Sequence, residues 1–324
     1  MKFIFKGYTL FILLVILTIV SLFIGVSQLS LIDIFHLSDE QMNILFSSRI
    51  PRTVSILLSG SSLALSGLIM QQMMQNKFVS PTTAGTMEWA KLGILLSLLF
   101  FPNGHILIKL LFAVVLSIVG TFLFVQLINL IRAKDVIFVP LLGIMIGGIL
   151  SSFTTFVALR TNALQSIGNW LTGNFAVITS GRFEVLYLTI PLLILAFVFA
   201  NHFTIAGMGK DFSHNLGVSY EKIIKIALFI TATLTALVVV TVGTLPFLGL
   251  IVPNIISIYR GDHLKNALPH TLMLGAIFVL IADIIGRIIV SPYEINIGLT
   301  IGVFGTIIFL ILLMKGRKNY ANEH

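Results

Sequence analysis

The chain has 324 residues, of which 57% are hydrophobic and only 10% charged, and its formal net charge is +8. A soluble protein carries about 25% charged residues, so a mean hydropathy of +1.07 excludes an ordinary soluble domain and predicts an all-α polytopic membrane protein. The lack of cysteine excludes disulfides and thiolate metal sites. The basic residues sit between apolar runs, so the positive charge is no nucleic-acid signal and no nucleic-acid partner is expected.

Apolar runs of spanning length recur from end to end. About ten spans are predicted, at residues 8–28, 50–74, 84–101, 106–131, 136–158, 184–201, 222–243, 245–259, 268–289 and 295–314. The first follows Lys2 and Lys6, is long enough to cross, and precedes no small-residue cleavage motif. It reads as a retained helix rather than a signal peptide. The second carries Gly60, Ala64 and Gly67 on one face, where small residues let a neighbouring helix come close. Gly143 and Gly147 repeat that spacing in the fifth span, and Gly298 and Gly302 repeat it in the tenth. Residues 163–175, with Trp170, read as a short interfacial helix. The eighth span is short and interrupted by Pro246 and Pro253. The longest loops are 29–48, 160–183 and 202–221, so residues 1–324 are expected to form a single transmembrane domain.

Lysine and arginine set the orientation. With the N-terminus inside, thirteen of them fall in inner segments and six in outer ones, while Lys91 lies within a span. Both termini are therefore expected in the cytoplasm. The eighth span is the weak point, since its loss would invert everything after it.

Charged residues within apolar runs come next, because they are costly there. Glu88 and Lys91 are three apart and can pair on one helix face. Two readings stand: a self-neutralising structural pair, or a Lys91 that lines a path and attracts an anion. Asp283, four residues before Arg287, is a similar case and is placed to orient that arginine. Arg49 and Arg52, three apart, share a face if the helix has begun, and Pro51 is tolerated in a first turn. They either anchor the helix end by snorkelling or offer planar forks to a partner's carboxylates. The seven histidines show no metal-ligand spacing, and no bound metal is expected. Asp33, Asp39 and Glu40 read as a solvated acidic loop. No Gly-x-x-x-x-Gly-Lys-Ser/Thr loop occurs, so no P-loop cradles a nucleotide, no cofactor is expected on this chain, and any ATP-driven step needs an ATPase on another subunit. Read as a transport subunit, the chain is expected to be no enzyme.

The stretch from Arg49 to Thr86 carries a resemblance. Arg49-Ile50-Pro51-Arg52, an apolar Gly/Ala/Ser helix with Ser66-Gly67 ahead of Gln71, and Asn76 five residues before Pro81 resemble the second spanning helix of FecCD-type permeases. These are the membrane subunits of bacterial ABC importers for iron-siderophores, haem and vitamin B12. The usual Asn-Pro-Leu-Ala-x-Pro is here Asn76-Lys77-Phe78-Val79-Ser80-Pro81, followed by Thr82-Thr83-Ala84-Gly85-Thr86. That variant is similar to the branch for catecholate and petrobactin-like ferric siderophores. The resemblance runs from about residue 8 to 315.

What the resemblance implies is a type II ABC importer permease in the bacterial cell membrane. It implies an inverted repeat of spans two to five and seven to ten, echoed faintly by Gly67-Leu68-Ile69 and Gly249-Leu250-Ile251. It implies a second permease, identical or homologous, to complete a central path. A pair of ATP-binding subunits would hydrolyse ATP, and an extracellular substrate-binding lipoprotein would deliver a ferric siderophore. Arg49, Arg52 and Arg287 would dock that lipoprotein. The segment 207–220 resembles the family's coupling loop, with Gly209, Asp211, His214, Leu216 and Gly217 at matching positions; His214 replaces a small residue. The segment 246–263 resembles a second family motif and adds Arg260, Asp262 and His263, with Asn254 in place of a histidine. Lys134 and Asp135 would lie at the inner gate, alongside Glu88 and Lys91 as path or structural residues. An ion-coupled secondary transporter, which needs mid-membrane acids on broken helices, and a multi-span membrane enzyme, which needs clustered carboxylates or histidines, are the competing readings.

Overall fold

The computed structural model describes residues 5–25, 38–131, 137–290 and 292–321. Among these, the chain is helical throughout: α1 (Gly7–Phe23), α2 (Asp39–Ile44), α3 (Ile50–Met73), α4 (Thr86–Phe100), α5 (Ile106–Ile131), α6 (Phe138–Arg160), α7 (Leu164–Leu171), α8 (Thr189–Val198), α9 (Ala200–Ala206), α10 (Lys210–Asn215), α11 (Tyr220–Thr241), α12 (Leu248–Arg260), α13 (Leu264–Ile288) and α14 (Ile297–Ala321). Helix is what an apolar chain must form in lipid, because each backbone group then finds its partner within its own segment.

Five segments are long and apolar enough to cross a membrane alone: 39–73, α5, α6, α11 and α13. A sixth crossing is possible if the segment from Phe183 to Val198 and α9, which meet at a 59° bend, count as one. The sequence predicts a sixth span over 184–201, and the structure places a bend near its end, after Val198. The predicted loop 29–48 also needs correction at its end. Ser38 starts α2 with a capping box, accepting from the Gln41 amide while its own amide donates to Gln41 Oε1 at 3.0 Å. Asp39 and Glu40 then sit in a first helical turn, where the helix dipole favours them. A π-helical turn, Leu45–Arg49, carries α2 into α3 without a break. Asp33 lies outside the described residues.

α3 is the axis of the bundle. It packs against α11, α12 and α13, and most of its side chains are buried. Two of its buried serines bond back to their own helix: Ser59 Oγ donates to the Ser55 carbonyl at 2.6 Å, and Ser66 Oγ to the Ser62 carbonyl at 2.8 Å. The core of the described residues has two large clusters and a small third around Leu95, Ala158 and Ile167. One large cluster gathers Ile56, Leu63, Ile94, Phe175 and Val279, the other Leu65, Met70, Phe124, Phe203 and Leu268. α5 and α6 lie at the periphery and expose Leu111, Ile149, Phe153 and Phe156.

Small residues set the closest crossings. Gly67 of α3 lies on Gly249 of α12, so the two glycines of the sequence echo meet in space. Gly60 packs on Gly275 of α13, where an added Cβ would fall 2.7 Å from the Gly275 carbonyl oxygen. Gly143 and Gly147 pack on Thr83, Ala84 and Gly85 ahead of α4, within this chain. Gly298 lies near Thr244 and Gly173, and Gly302 makes only a distant approach to Pro246.

The predicted eighth span is a helix here, but one too short to cross alone. α12 has 13 residues, about 20 Å at 1.5 Å per residue, against a hydrocarbon core of about 30 Å. Ahead of α12, irregular backbone at 242–244 bonds to the end of α7 and the segment that follows it. The Thr244 amide donates to the Leu171 carbonyl at 3.2 Å, and the Asn174 amide to the Val242 carbonyl at 3.1 Å. Irregular backbone at membrane depth is tolerated when buried in protein like this. Phe247, at φ +63, enters α12 through the left-handed region, which is costly for an aromatic residue. Its ring stacks near Phe309 of α14, 6.5 Å between centroids.

Candidate functional site

The two ends of the bundle are called outer and inner after the orientation that the lysine and arginine distribution predicts. Segments assigned to one side by sequence do meet at one end.

At the outer end, Arg49, Arg52 and Arg287 come together, as their sequence positions suggest, but they do not stand free. Their relative exposures are 7%, 8% and 5%. Arg52 holds two carboxylates at once. One nitrogen donates to Asp283 Oδ1 at 2.8 Å and the other to both oxygens of Glu294, at 2.8 and 3.0 Å. Asp283 bridges onward, with its Oδ2 2.6 Å from Arg287, so the pairing of Asp283 with Arg287 anticipated from their spacing forms. Arg287 also donates to the Ser21 and Ile24 carbonyls at 2.9 and 2.7 Å and to Ser21 Oγ at 2.7 Å. Arg49 donates to the same Ile24 carbonyl. Two guanidinium groups thus cap the C-terminus of α1, where the last carbonyls lack partners and the dipole favours a cation. The three side chains are internal and tie α1, α3, α13 and the segment before α14 together. Sequence reasoning missed Glu294 and Ser21. Glu294 did leave a signal, as the lone acidic residue between spans nine and ten.

Glu88 and Lys91 form the predicted pair on α4 at 2.6 Å. The second Glu88 oxygen is buried without a partner, and its side chain lies against Gly147 of α6. Lys134 and Asp135 lie outside the described residues.

At the inner end, the predicted coupling turn is the short helix α10. Gly209 enters it at φ +110 and Gly217 leaves at φ +72, conformations that only glycine adopts without strain. Ser213 fastens the turn from inside, its hydroxyl donating to the Gly209 carbonyl at 2.7 Å. Asp211 and His214 are left exposed, as are the apolar side chains of Met208, Phe212 and Leu216. A cavity of about 420 Å³ lined by Lys210, Asp211, His214 and Glu221 opens beside them. A second, of about 790 Å³, reaches back to Gln75 and Asn129. An exposed apolar ridge beside polar hollows is a shape that a partner protein can cover.

The second inner motif is largely engaged within the chain. Arg260 donates to the Phe5 carbonyl at 3.1 Å, and Tyr259 stacks on the Phe5 ring at 4.0 Å. His263 precedes the first turn of α13 without capping it through its side chain. Asp262 accepts from Lys77 and, at 2.5 Å, from Ser257. Asn254, where the family carries histidine, donates to the Lys77 carbonyl at 2.8 Å. Together these groups clamp the α3–α4 turn to α12. The Ser80-Pro81-Thr82-Thr83 variant belongs to this turn. Asn76 Oδ1 accepts from the Phe78 amide at 2.9 Å, and Thr83 Oγ1 from the Ser80 amide at 2.8 Å. The Ser80 and Thr83 hydroxyls serve backbone geometry at the inner end.

The clamp makes a pH prediction. Burial alone pushes the Asp262 carboxyl up, but hydrogen bonds from Lys77 and Ser257 and the Lys77 charge outweigh it, so it lies below its ordinary value. The clamp's contribution is then complete above the ordinary aspartate value of about 3.9 and is lost as pH falls through the lowered one. Both partners are about half exposed, so solvent screening holds the effect to about 1 kcal/mol or less. The unfolding-temperature gap between wild type and Asp262→Asn should be flat from pH 5 to 8 and close below about pH 4. A gap that widened on acidification would refute the assignment.

Comparison with known proteins follows from this geometry. The pattern of the FecCD transport family matches residues 13–315. The chain is 55% identical over 312 residues to the petrobactin import system permease protein YclN of Bacillus subtilis, covering 96% of this chain and 98% of that one. It is 38% identical to the petrobactin import system permease protein FatD of Bacillus anthracis, over 95% of this chain and 90% of that one. It is 37% identical to the ferric-anguibactin transport system permease protein FatD of Vibrio anguillarum, over 92% and 95%. Among solved structures, a metal-chelate type ABC transporter in an inward-facing conformation superposes with a TM-score of 0.79 at 25% identity, covering 95% of this chain and 98% of that one.

Proposed function

The chain belongs to the FecCD transport family, and from that premise we propose that it is the permease subunit of a binding-protein-dependent ABC importer for a catecholate-type ferric siderophore. The observation that carries the cargo is the 55% identity, across nearly the whole length, to a permease named for petrobactin. Two further relatives are named for petrobactin and ferric anguibactin. The chain is a multi-pass membrane protein and a transport subunit rather than an enzyme.

A separate ATPase and a binding protein complete the system at the general level. In finer detail, two ATP-binding subunits cover the α10 ridge and its hollows. An extracellular lipoprotein docks on the outer rim that Arg49, Arg52 and Arg287 hold in shape. A second permease, identical or homologous, closes the path. Residues 1–324 make a single permease domain with ten crossings of type II architecture and both termini inside. These are α1, α3, α4, α5, α6, the bent α8–α9 pair, α11, α12, α13 and α14. The helices too short to cross alone are the ones that neighbours must cover. ATP is consumed by the partner, and this chain binds no cofactor. An ion-coupled mechanism is less well supported, because the two deep acids, Glu88 and Asp283, are both ion-paired.

The test is uptake of radiolabelled iron by cells lacking the gene, offered as catecholate, hydroxamate and haem chelates. Catecholate uptake should fall at least tenfold and return with the gene, while the other two stay unchanged. Unaltered catecholate uptake would overturn the cargo. Loss of uptake on collapsing the proton gradient at constant ATP would overturn the energy source.

A further inference from the structure

Three segments far apart in sequence converge at the outer end around one indole. Lys109 Nζ, at the start of α5, stands 5.0 Å from the centre of the Trp170 ring on α7. Arg182 Cζ, ahead of the 183–188 turn, stands at the same distance. Neither cation has an ion pair among the described residues. The neighbouring acid, Glu184, accepts from the Gly181 amide instead. Lys109 itself donates to the Gly104 carbonyl at 3.2 Å. Two like charges therefore share one aromatic ring, with no carboxylate in salt-bridge reach of either among the described residues, although they repel each other. In front of the indole is a cavity of about 220 Å³, lined by Trp170, Arg182, Phe183, Ile178 and Asn169. Phe183 and Ile178 belong to the buried core, so one wall is rigid.

These features define a ligand. The positive charge selects an anion. The indole and phenyl walls select a flat, electron-rich ring, by stacking and by the edge of one ring meeting the face of another. The volume admits a single ring, since a cavity of about 150 Å³ accommodates benzene. Arginine beside an aromatic wall also suits paired oxygens on one ring, because its fork donates two parallel hydrogen bonds. We propose that this cavity receives one catecholate ring of an anionic ferric chelate at the outer mouth, before the chelate enters the path. The proposal rests on the permease reading above and adds to it a place of first contact on this chain. Lys109 contributes long-range attraction, and Arg182 with Trp170 contributes the specificity for a ring over a compact anion.

The chain has two tryptophans, so Trp89→Phe leaves Trp170 as sole reporter. The probe is gallium(III) tris-catecholate, a redox-inert anionic stand-in for the ferric chelate, titrated into detergent-purified protein. A saturable change in Trp170 emission is expected. Arg182→Gln with Lys109→Gln should weaken it at least tenfold, and uncharged gallium tris-hydroxamate should produce none. Should Trp89→Phe fail to fold, equilibrium dialysis of radiogallium chelate against wild type and the double variant reads the same ratio. Equal binding of the hydroxamate chelate, an unchanged affinity in the double variant, or displacement of the probe by phosphatidylglycerol vesicles would overturn the site. If the site fails while cells still take up catecholate iron through this gene, the permease reading stands. If cells show no such uptake, that reading falls first.

Discussion

Asp283→Ala is expected to lower stability by about 3–5 kcal/mol, the cost of removing one partner from a buried ion pair, and to remove most of the protein from the membrane. The carboxylate is 3% exposed and sits between two guanidinium groups, 2.8 Å from Arg52 and 2.6 Å from Arg287. Deleting it leaves Arg287, itself 5% exposed, with carbonyl and hydroxyl partners but no counter-charge. Arg52 retains Glu294. The damage should therefore centre on the junction of α1 with α13. Glu294→Gln should cost less, because that side chain is 24% exposed and Arg52 keeps Asp283. Melting of the purified variants, with membrane abundance measured alongside, tests the order. A second comparison separates charge from packing. Replacing Asp283 by leucine together with Arg287→Met removes both charges, and in other proteins such exchanges are neutral or stabilising. Recovery of stability in that double variant is expected. Wild-type melting of Asp283→Ala would show that the network does not hold the outer end.

Gly67→Val should be as damaging for a different reason. A side chain on Gly67 would occupy the backbone of Gly249, carbonyl oxygen included. Neither partner can rotate away, since both are main chain. A Cβ on Gly249 would in turn fall 2.9 Å from the Leu63 carbonyl oxygen. α3 and α12 would have to separate, and α3 is the helix around which the others pack. Overpacking of this kind costs about 1–3 kcal/mol when side chains can give way, and more is expected here. Membrane abundance should fall at least tenfold, and even Gly67→Ala should melt lower than wild type. Gly148→Ala is the control, because nothing lies within 4 Å of the position. If Gly67→Ala and Gly148→Ala behaved alike, the crossing would not require glycine.

The outer and inner ends differ in how far they could be read beforehand. The α10 turn was legible because its signals are local: two glycines at positions of positive φ, six helical residues between them, and polar side chains outward. The arginines were legible as a group but not in their state. Arg52 meets Asp283 and Glu294 across 231 and 242 residues of chain, and no periodicity links positions so distant. The Ser80–Thr86 variant was legible as a mark of the petrobactin-like branch, in line with the relatives named for petrobactin, while within the fold the Thr83 hydroxyl closes a turn. A Ser/Thr side chain bonds its own backbone as readily as a ligand.

By itself the sequence determined that the chain is helical, that it lies in the membrane, and where nearly every helix runs. α5 begins and ends at the predicted residues, 106 and 131. The physical reason is that lipid enforces internal backbone hydrogen bonding, so an apolar run long enough to cross becomes helix whatever its neighbours do. Only the tertiary structure decided which charges are neutralised, which glycines touch, and where α12 stops short of a full crossing. Those depend on segments brought together by packing. Lipid offers no hydrophobic gradient between helices to announce them, so contacts between small residues and between buried ions settle the arrangement.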